Sequence, residues 1–244
     1  MTQTWIILGA TSAMARAFIR LNAEKGASFV LCGRDVADMK VTAADAIARG
    51  SETAEVMAID VRDPLTFGPV IERAKSITGT INCAVFVGTM PEQDEIDADP
   101  SLIDGTITDS FTGPARFLTL LAPILEQREQ GQIVGVSSVA GDRGRLGNYV
   151  YGAAKAGFTT YLSGLRNRLG RSGVHVMTVK PGPVDTSMTW GKQMPAMTTP
   201  EAVARDIDRG LRKGRNVIYT ALIWWPIMTV IKLIPEPVFK KLSF

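Results

Sequence analysis

Histidine and cysteine are nearly absent from this chain. Its 244 residues hold one histidine, His175, and two cysteines, Cys32 and Cys83. These cannot assemble a zinc site of the usual Cys/His kind, so no metal is expected. A Ser-His-Asp or Cys-His mechanism would have to run through His175. That residue stands in the apolar, β-branched run Val174-His175-Val176-Met177 and reads as part of a strand. Two isolated cysteines in apolar stretches suit a reducing compartment and not a disulfide scaffold. An excess of one charge is also lacking. The 27 basic and 24 acidic residues give +3, too weak a field to argue for a nucleic-acid partner. No basic stretch precedes a signal-length apolar run at the N-terminus. No window offers 20 clean apolar residues, so no membrane span is expected and a cytoplasmic location is.

What is present is alternation. Short apolar runs at 5–8, 28–31, 54–59, 83–87, 132–136, 174–179 and 216–219 are separated by stretches of helical period at 13–25, 36–49, 64–78, 100–128, 149–171 and 200–213. Short Val- and Ile-rich runs are the mark of parallel strands covered by helices on both faces. The predicted fold is α/β: a Rossmann-like, doubly wound parallel sheet of seven strands with right-handed crossovers. It occupies one domain, residues 1–220, followed by an apolar helical appendage at 221–244. Two segments read as long loops, 88–99 and 181–199. Both follow strands and border the crevice where open sheets bind ligands. The second contains Met188, Met194, Met197 and Trp190, which suits either a lid over an apolar substrate or a surface loop.

Three places carry chemistry. First, the opening strand runs into Gly9-Ala10-Thr11-Ser12-Ala13-Met14-Ala15-Arg16. A strand, a tight small-residue turn and a helix start set a pyrophosphate on a helix N-terminus. Gly9 supplies the turn, and Thr11, Ser12 and Met14 are expected to border the phosphates. Second, the second strand ends in Gly33-Arg34-Asp35. An acidic residue at this tip would accept from a ribose 2′-hydroxyl, whereas an arginine pairs with a 2′-phosphate, so Arg34 argues for NADP. Asp35 reads as the N-cap of the next helix, and Asp60 lies on the same rim. Third, Tyr151-Gly152-Ala153-Ala154-Lys155 places a phenol and an ammonium on one helix face at i, i+4, with Ser138 at the preceding strand end. A nearby cation lowers a phenol's pKa from its ordinary value near ~10, which would bring proton transfer closer to neutral pH. Tyr149 has no lysine four residues on and is the poorer candidate.

In this order, the segments Gly9-Ala10-Thr11-Ser12, Asp60-Val61, Val136-Ser137-Ser138-Val139-Ala140-Gly141, Asn148-Tyr149-Val150-Tyr151-Gly152-Ala153-Ala154-Lys155 and Pro181-Gly182-Pro183-Val184-Asp185-Thr186 resemble the short-chain dehydrogenase/reductase family over residues 4–215. The resemblance implies that Tyr151 is the general acid/base, that Lys155 holds the nicotinamide ribose, and that Ser138 orients a carbonyl. It also implies that Asp60 and Val61 meet the adenine, and that Gly88, Pro181, Gly182, Val184 and Thr186 line the coenzyme. The chain departs from the family in three places. Val85-Phe86-Val87-Gly88 replaces an Asn-Asn-Ala-Gly turn, Ser110 replaces the family's asparagine of the proton relay, and Ala13 and Ala15 replace glycines.

The second half resembles one branch more closely, the decaprenylphosphoryl-2-keto-ribose reductases, through Ser137–Arg143, Asn148–Gly152 and the tail at 234–242. That implies reduction of a keto-sugar on a lipid phosphate carrier. Two other readings stand beside it: a soluble 3-oxoacyl thioester or small-ketone reductase, and a non-catalytic NADPH-binding regulator. The family habit implies a homodimer or homotetramer. The tail, Ala221-Leu222-Ile223-Trp224-Trp225-Pro226 onward, is apolar nearly all round and must be covered by something. The candidates are a partner subunit, its own cleft, or a lipid surface at the inner face of the membrane. Trp224, Trp225, Lys232, Lys240 and Lys241 suit the last.

Overall fold

The computed structural model describes residues 3–189, 191 and 195–242. Seven parallel strands are present: β1 Gln3–Leu8, β2 Ser28–Gly33, β3 Ala54–Ala58, β4 Thr80–Val85, β5 Gln132–Val136, β6 His175–Pro181 and β7 Val217–Thr220. Their order is β3-β2-β1-β4-β5-β6-β7. The chain reverses direction across the sheet between β1 and β4, where Leu8 is in register with both Cys32 and Val85. In such sheets the ligand crevice opens beyond the carboxyl ends of the strands at this switch point.

Alternation along each strand sends successive side chains to opposite faces. Ile6 and Leu8 enter one core with Phe67, Phe117, Phe158 and Leu162. Trp5 and Ile7 enter the other with Phe18, Phe29, Met39 and Ile207. The first core is covered by α3 (Phe67–Ser76), α6 (Gly113–Arg128) and α7 (Tyr149–Leu169), the second by α1 (Ala13–Ala23), α2 (Val36–Ala48) and α8 (Pro200–Arg212). Each fully buried aliphatic or phenyl side chain contributes roughly 1.5–3 kcal/mol. The expected α/β sheet is therefore the observed one, with its helices on both faces. Asp35 caps α2 as expected, its side chain accepting from the Asp38 amide at 2.9 Å. Cys32 and Cys83 are free and buried.

Several segments differ from expectation. The strand expected at 83–87 begins at Thr80, because polar Thr80 and Asn82 pair with Gln3 and Trp5 and lie outside the apolar run. The helix expected at 100–128 is broken. It consists of α5 (Leu102–Ile107), a π turn at Thr108–Thr112 and α6. Pro114 lacks the N–H that would bond four residues back, and a Cβ at Gly113 would collide with the Val61 carbonyl. The loop at 88–99 contains a short helix, α4 (Gln93–Ala98), opened by the reciprocal Glu92–Glu95 capping box. The loop at 181–199 is closed at its base by a bridge between Val184 and Thr198. Met188 is exposed there, while Trp190 and Met194 lie outside the described residues.

The tail forms α9 (Trp224–Leu233) and α10 (Glu236–Phe239). Trp224 and Met228 are buried against Val139, with Tyr219, Ile227 and Ile231 packed around them. Leu222, Ile223, Trp225, Val230, Leu233 and Val238 stay exposed. Among the described residues no helix is long and apolar enough to cross a membrane.

Candidate active site

The catalytic candidates converge at the carboxyl ends of β4 and β5. Ser138 leaves β5 in extended conformation and caps a one-turn helix, Val139–Asp142, accepting from the Ala140 amide at 3.1 Å. A Cβ at Gly141 would strike the Lys155 backbone, and one at Gly152 the Ala140 carbonyl. Glycine at both positions lets the turn lie directly on α7. The Ser138 side chain lies beside the Tyr151 phenol, close enough to favour its ionised form. Lys155, 3% exposed, donates to the Val136 carbonyl at 3.1 Å and to Val87 at 3.4 Å. An ammonium has three donors, so one remains unclaimed. Ser137 braces the lysine's turn of helix, since its hydroxyl donates to the Lys155 carbonyl at 3.0 Å and meets Thr159 at 2.7 Å.

The electrostatics of this corner correct one expectation. Lys155 does not draw the phenol down. Burial pushes Tyr151 up to about 12, opposed only by the Ser138 side chain. Burial likewise pushes Lys155 down to about 8. The lysine nitrogen lies 5.8 Å from the tyrosine ring centroid and is tied to two carbonyls, so desolvation outweighs attraction for both groups. The phenol is held as the protonated acid, the form that can deliver a proton.

Ser110 sits on the π turn, fully buried. Its hydroxyl donates to the Thr89 carbonyl at 3.2 Å and accepts from the Thr89 amide at 3.3 Å. Gly88 lies between Ser110 and Lys155, and a Cβ there would come within 3.1 Å of the ammonium. In place of a long amide reaching for a relay water, the chain has a short hydroxyl bracing the turn beside the lysine. The neighbouring Asp109 pairs with Arg62 through two 2.7 Å contacts and accepts from the Thr89 hydroxyl. Tyr149 is exposed and donates to Asp97, outside this corner. His175 opens β6 at the opposite end of the sheet.

The dinucleotide rim is built differently. Gly9 has φ +79°, a left-handed turn that glycine adopts without strain, and a Cβ there would press on Val87 at 2.9 Å. Gly9 and Ala10 amides both donate to the Cys32 carbonyl, and Ser12 caps α1 by accepting from Ala15. Thr11, Ser12 and Met14 are half-buried around that helix start, with the Thr11 carbonyl held by Arg16. Arg34 is exposed at the β2 tip and has no side-chain partner among the described residues. Asp60 accepts from the Arg62 amide at 2.9 Å and is followed by buried Val61. On the far side, Pro181 and Val184 are buried, and the Thr186 and Thr189 hydroxyls donate to the Val184 carbonyl.

Sequence reasoning did not find the residues behind this corner. Asp142, its side chain 3% exposed, pairs with Lys180 and accepts from the Tyr219 hydroxyl at 2.7 Å. The signal was present: a lysine inside an apolar strand run needs a buried counter-charge. Arg143 donates to the Ile231 and Ile234 carbonyls at 2.6 Å each, pairs with Glu236 and lies over the Phe239 ring. It thereby fastens α9 and α10 onto the turn that follows Ser138. The Trp224 indole occupies the space that a Cβ at Gly182 would need.

Comparison with known proteins follows the same outline. The family model described as short chain dehydrogenase matches residues 3–195. An uncharacterised oxidoreductase of Mycobacterium tuberculosis is 31% identical, over 89% of this chain and 88% of the relative. The ketoacyl reductase HetN of Nostoc is 27% identical, over 86% of this chain and 75% of the relative. A short-chain dehydrogenase from Burkholderia cenocepacia, solved in complex with NADP, superimposes with a TM-score of 0.85 at 18% identity, over all of this chain and 98% of the other.

Proposed function

The chain belongs to the short-chain dehydrogenase family of oxidoreductases, and on that premise we propose that it is an NADPH-dependent ketoreductase. The observation that carries this reading is the buried corner that gathers Ser138, a protonated Tyr151 and Lys155. The rim suits a dinucleotide phosphate. Gly9 leaves the backbone open before α1, Arg34 offers an unengaged cation to a 2′-phosphate, and Gly88 leaves room beside the lysine. Asp60 and Val61 would border the adenine, Lys155 would hold the ribose through its spare donor, and Pro181, Gly182, Val184 and Thr186 would line the nicotinamide side. NADPH, when bound, supplies a hydride to the carbonyl carbon. Ser138 donates a hydrogen bond to the carbonyl oxygen, and the Tyr151 hydroxyl delivers the proton there. Lys155, a cation below about pH 8, has a third donor to spare for the ribose only in that charged form. Ser110 keeps the Gly88–Thr89 turn in place around this group. The ketoacyl reductase among the relatives and the NADP-bound structural neighbour support the same chemistry.

For the substrate, the reading is a ketone on a lipid phosphate carrier. It is supported by the tail, which is fastened to the catalytic turn by Arg143 while its outer face exposes Leu222, Trp225, Val230 and Leu233 beside Lys232 and Lys240. An apolar, aromatic face with nearby cations suits peripheral contact with an anionic lipid surface. The test is titration with NADPH and NADH, then coenzyme oxidation against lipid-linked and small ketones, with co-sedimentation on vesicles of anionic phospholipid. NADPH preference and turnover of the lipid-linked ketones are expected. Tight NADPH binding with no turnover on any ketone would return the chain to the regulator reading.

A further inference from the structure

The link between the catalytic serine's turn and the catalytic helix, residues 143–148, carries two polar groups that the protein leaves unsatisfied. The Nε of Arg145 is shielded from solvent and has no hydrogen-bond partner, and the same holds for Oδ1 of Asn148. Arg145 forms no ion pair among the described residues. The carboxylate that acts on it is Asp142, and the two Asp142 oxygens are already taken by Lys180 and the Tyr219 hydroxyl. Asn148 directly precedes α7 but makes no side-chain cap to it. The neighbouring Arg143 shows the contrast, with its guanidinium engaged on the tail at every side.

An N–H buried without an acceptor costs roughly 1–3 kcal/mol, and a half-buried cation with no directly bonded carboxylate adds to that. The place of these groups gives the cost a use. The link leaves the carboxyl end of β5 and re-enters the fold just before Tyr151, so it borders the crevice on the side of Ser138 and Tyr151. A guanidinium is a planar fork matched to an oxyanion, and the Asn148 amide oxygen, three residues on in the same turn, can accept from a hydroxyl.

We propose that Arg145 and Asn148 form a substrate subsite, and that the ketone reduced at Ser138 and Tyr151 carries an oxyanion, phosphate or carboxylate, within reach of Arg145. This rests on the ketoreductase reading. The phosphate on the proposed lipid carrier is one form of that anion, and a soluble phosphate or carboxylate is another.

The experiment compares the full-length wild type with Arg145→Ala and Arg145→Lys on hydroxyacetone, hydroxyacetone phosphate, its dodecyl phosphodiester, and acetoacetate. In the wild type, kcat/KM for at least one anionic ketone should exceed that for hydroxyacetone tenfold or more. Arg145→Ala should erase that margin through KM, and Arg145→Lys should restore part of it. Which anion holds the margin separates lipid-linked phosphate, free phosphate and carboxylate. No margin in the wild type, or a margin that survives Arg145→Ala, overturns the subsite. Should no ketone turn over at all, melting of the NADP-saturated protein decides independently. Hydroxyacetone phosphate should raise the Tm of wild type and of Arg34→Asp but not of Arg145→Ala. Equal shifts in all three, or none in the wild type, overturn the subsite too.

Discussion

The two ends of the crevice are built on opposite plans. At the β1–β2 rim the cation is solvated and unengaged: Arg34 is exposed with no side-chain partner among the described residues, while the α1 start beside it is bordered by half-buried Thr11 and Ser12, whose bonds are local to their own turn. At the β5–β6 corner the groups are buried and already bonded. Tyr151 meets Ser138, Lys155 holds two carbonyls, Ser137 braces Lys155, and Asp142 gathers Lys180 and Tyr219. Under the proposed function, the difference follows from what each end would do. A rim that binds a charged ligand through its own unpaired cations gains when the ligand arrives. A corner that moves a proton must hold its atoms in place before the substrate comes, because misplacement by an ångström costs rate.

The sharpest way to break this comparison is to remove the proposed proton donor. Tyr151→Phe keeps the buried ring and loses only the hydroxyl. Turnover should fall about 10³-fold, while the Tm and NADPH affinity, read by coenzyme fluorescence, stay near wild type. Retention of more than a tenth of the activity would remove Tyr151 from the chemistry. The matching change at the rim is Arg34→Asp. Loss of a charge-assisted pair with a 2′-phosphate should weaken NADPH roughly 10- to 100-fold and leave NADH within about twofold. Equal weakening of both would mean that Arg34 does not read the 2′-phosphate.

The pH profile sharpens the corner's side of the comparison. Burial lowers Lys155 from an ordinary lysine's 10.5 to about 8 and raises Tyr151 to about 12. The phenol therefore remains protonated through the neutral range, and the titration that matters first is loss of the lysine charge as pH rises. Reductive kcat/KM should be level below about pH 8 and fall roughly tenfold by about pH 9. A profile that instead climbs through this range would show that the neutral amine is the active form.

Much of this architecture is legible in the amino-acid sequence. The seven strands, the two-sided helical cover and the gathering of Ser138, Tyr151 and Lys155 follow from period, spacing and order. What is illegible there depends on pairs far apart along the chain. The break at Thr108–Thr112 comes from Gly113 pressed against Val61 and from Pro114's missing donor. The rise in Tyr151 comes from how deeply α7 is buried, which the i, i+4 spacing cannot report. The fastening of the tail joins Arg143 to carbonyls at Ile231 and Ile234, and apolarity alone does not distinguish that from an unattached appendage.

That fastening supplies the smallest but most discriminating change. Arg143→Ala removes two 2.6 Å hydrogen bonds to the end of α9 and the cover over Phe239. The loss should be about 2 kcal/mol, lowering the Tm by about 4–8 °C, with earlier proteolysis within α9 and α10. Because α9 packs on Val139, the residue after Ser138, a loosened tail should lower kcat several-fold while leaving NADPH affinity at the Arg34 rim within about twofold. Rescue by Arg143→Lys should be poor, since one ammonium cannot both reach the two carbonyls and lie flat on a phenyl ring. If the tail is released to protease and kcat stays at the wild-type value, the corner is rigid without α9 and the tail is an appendage after all. A fall in kcat that tracks the release makes the tail a structural part of the catalytic corner and leaves only the rim to be completed by its ligand.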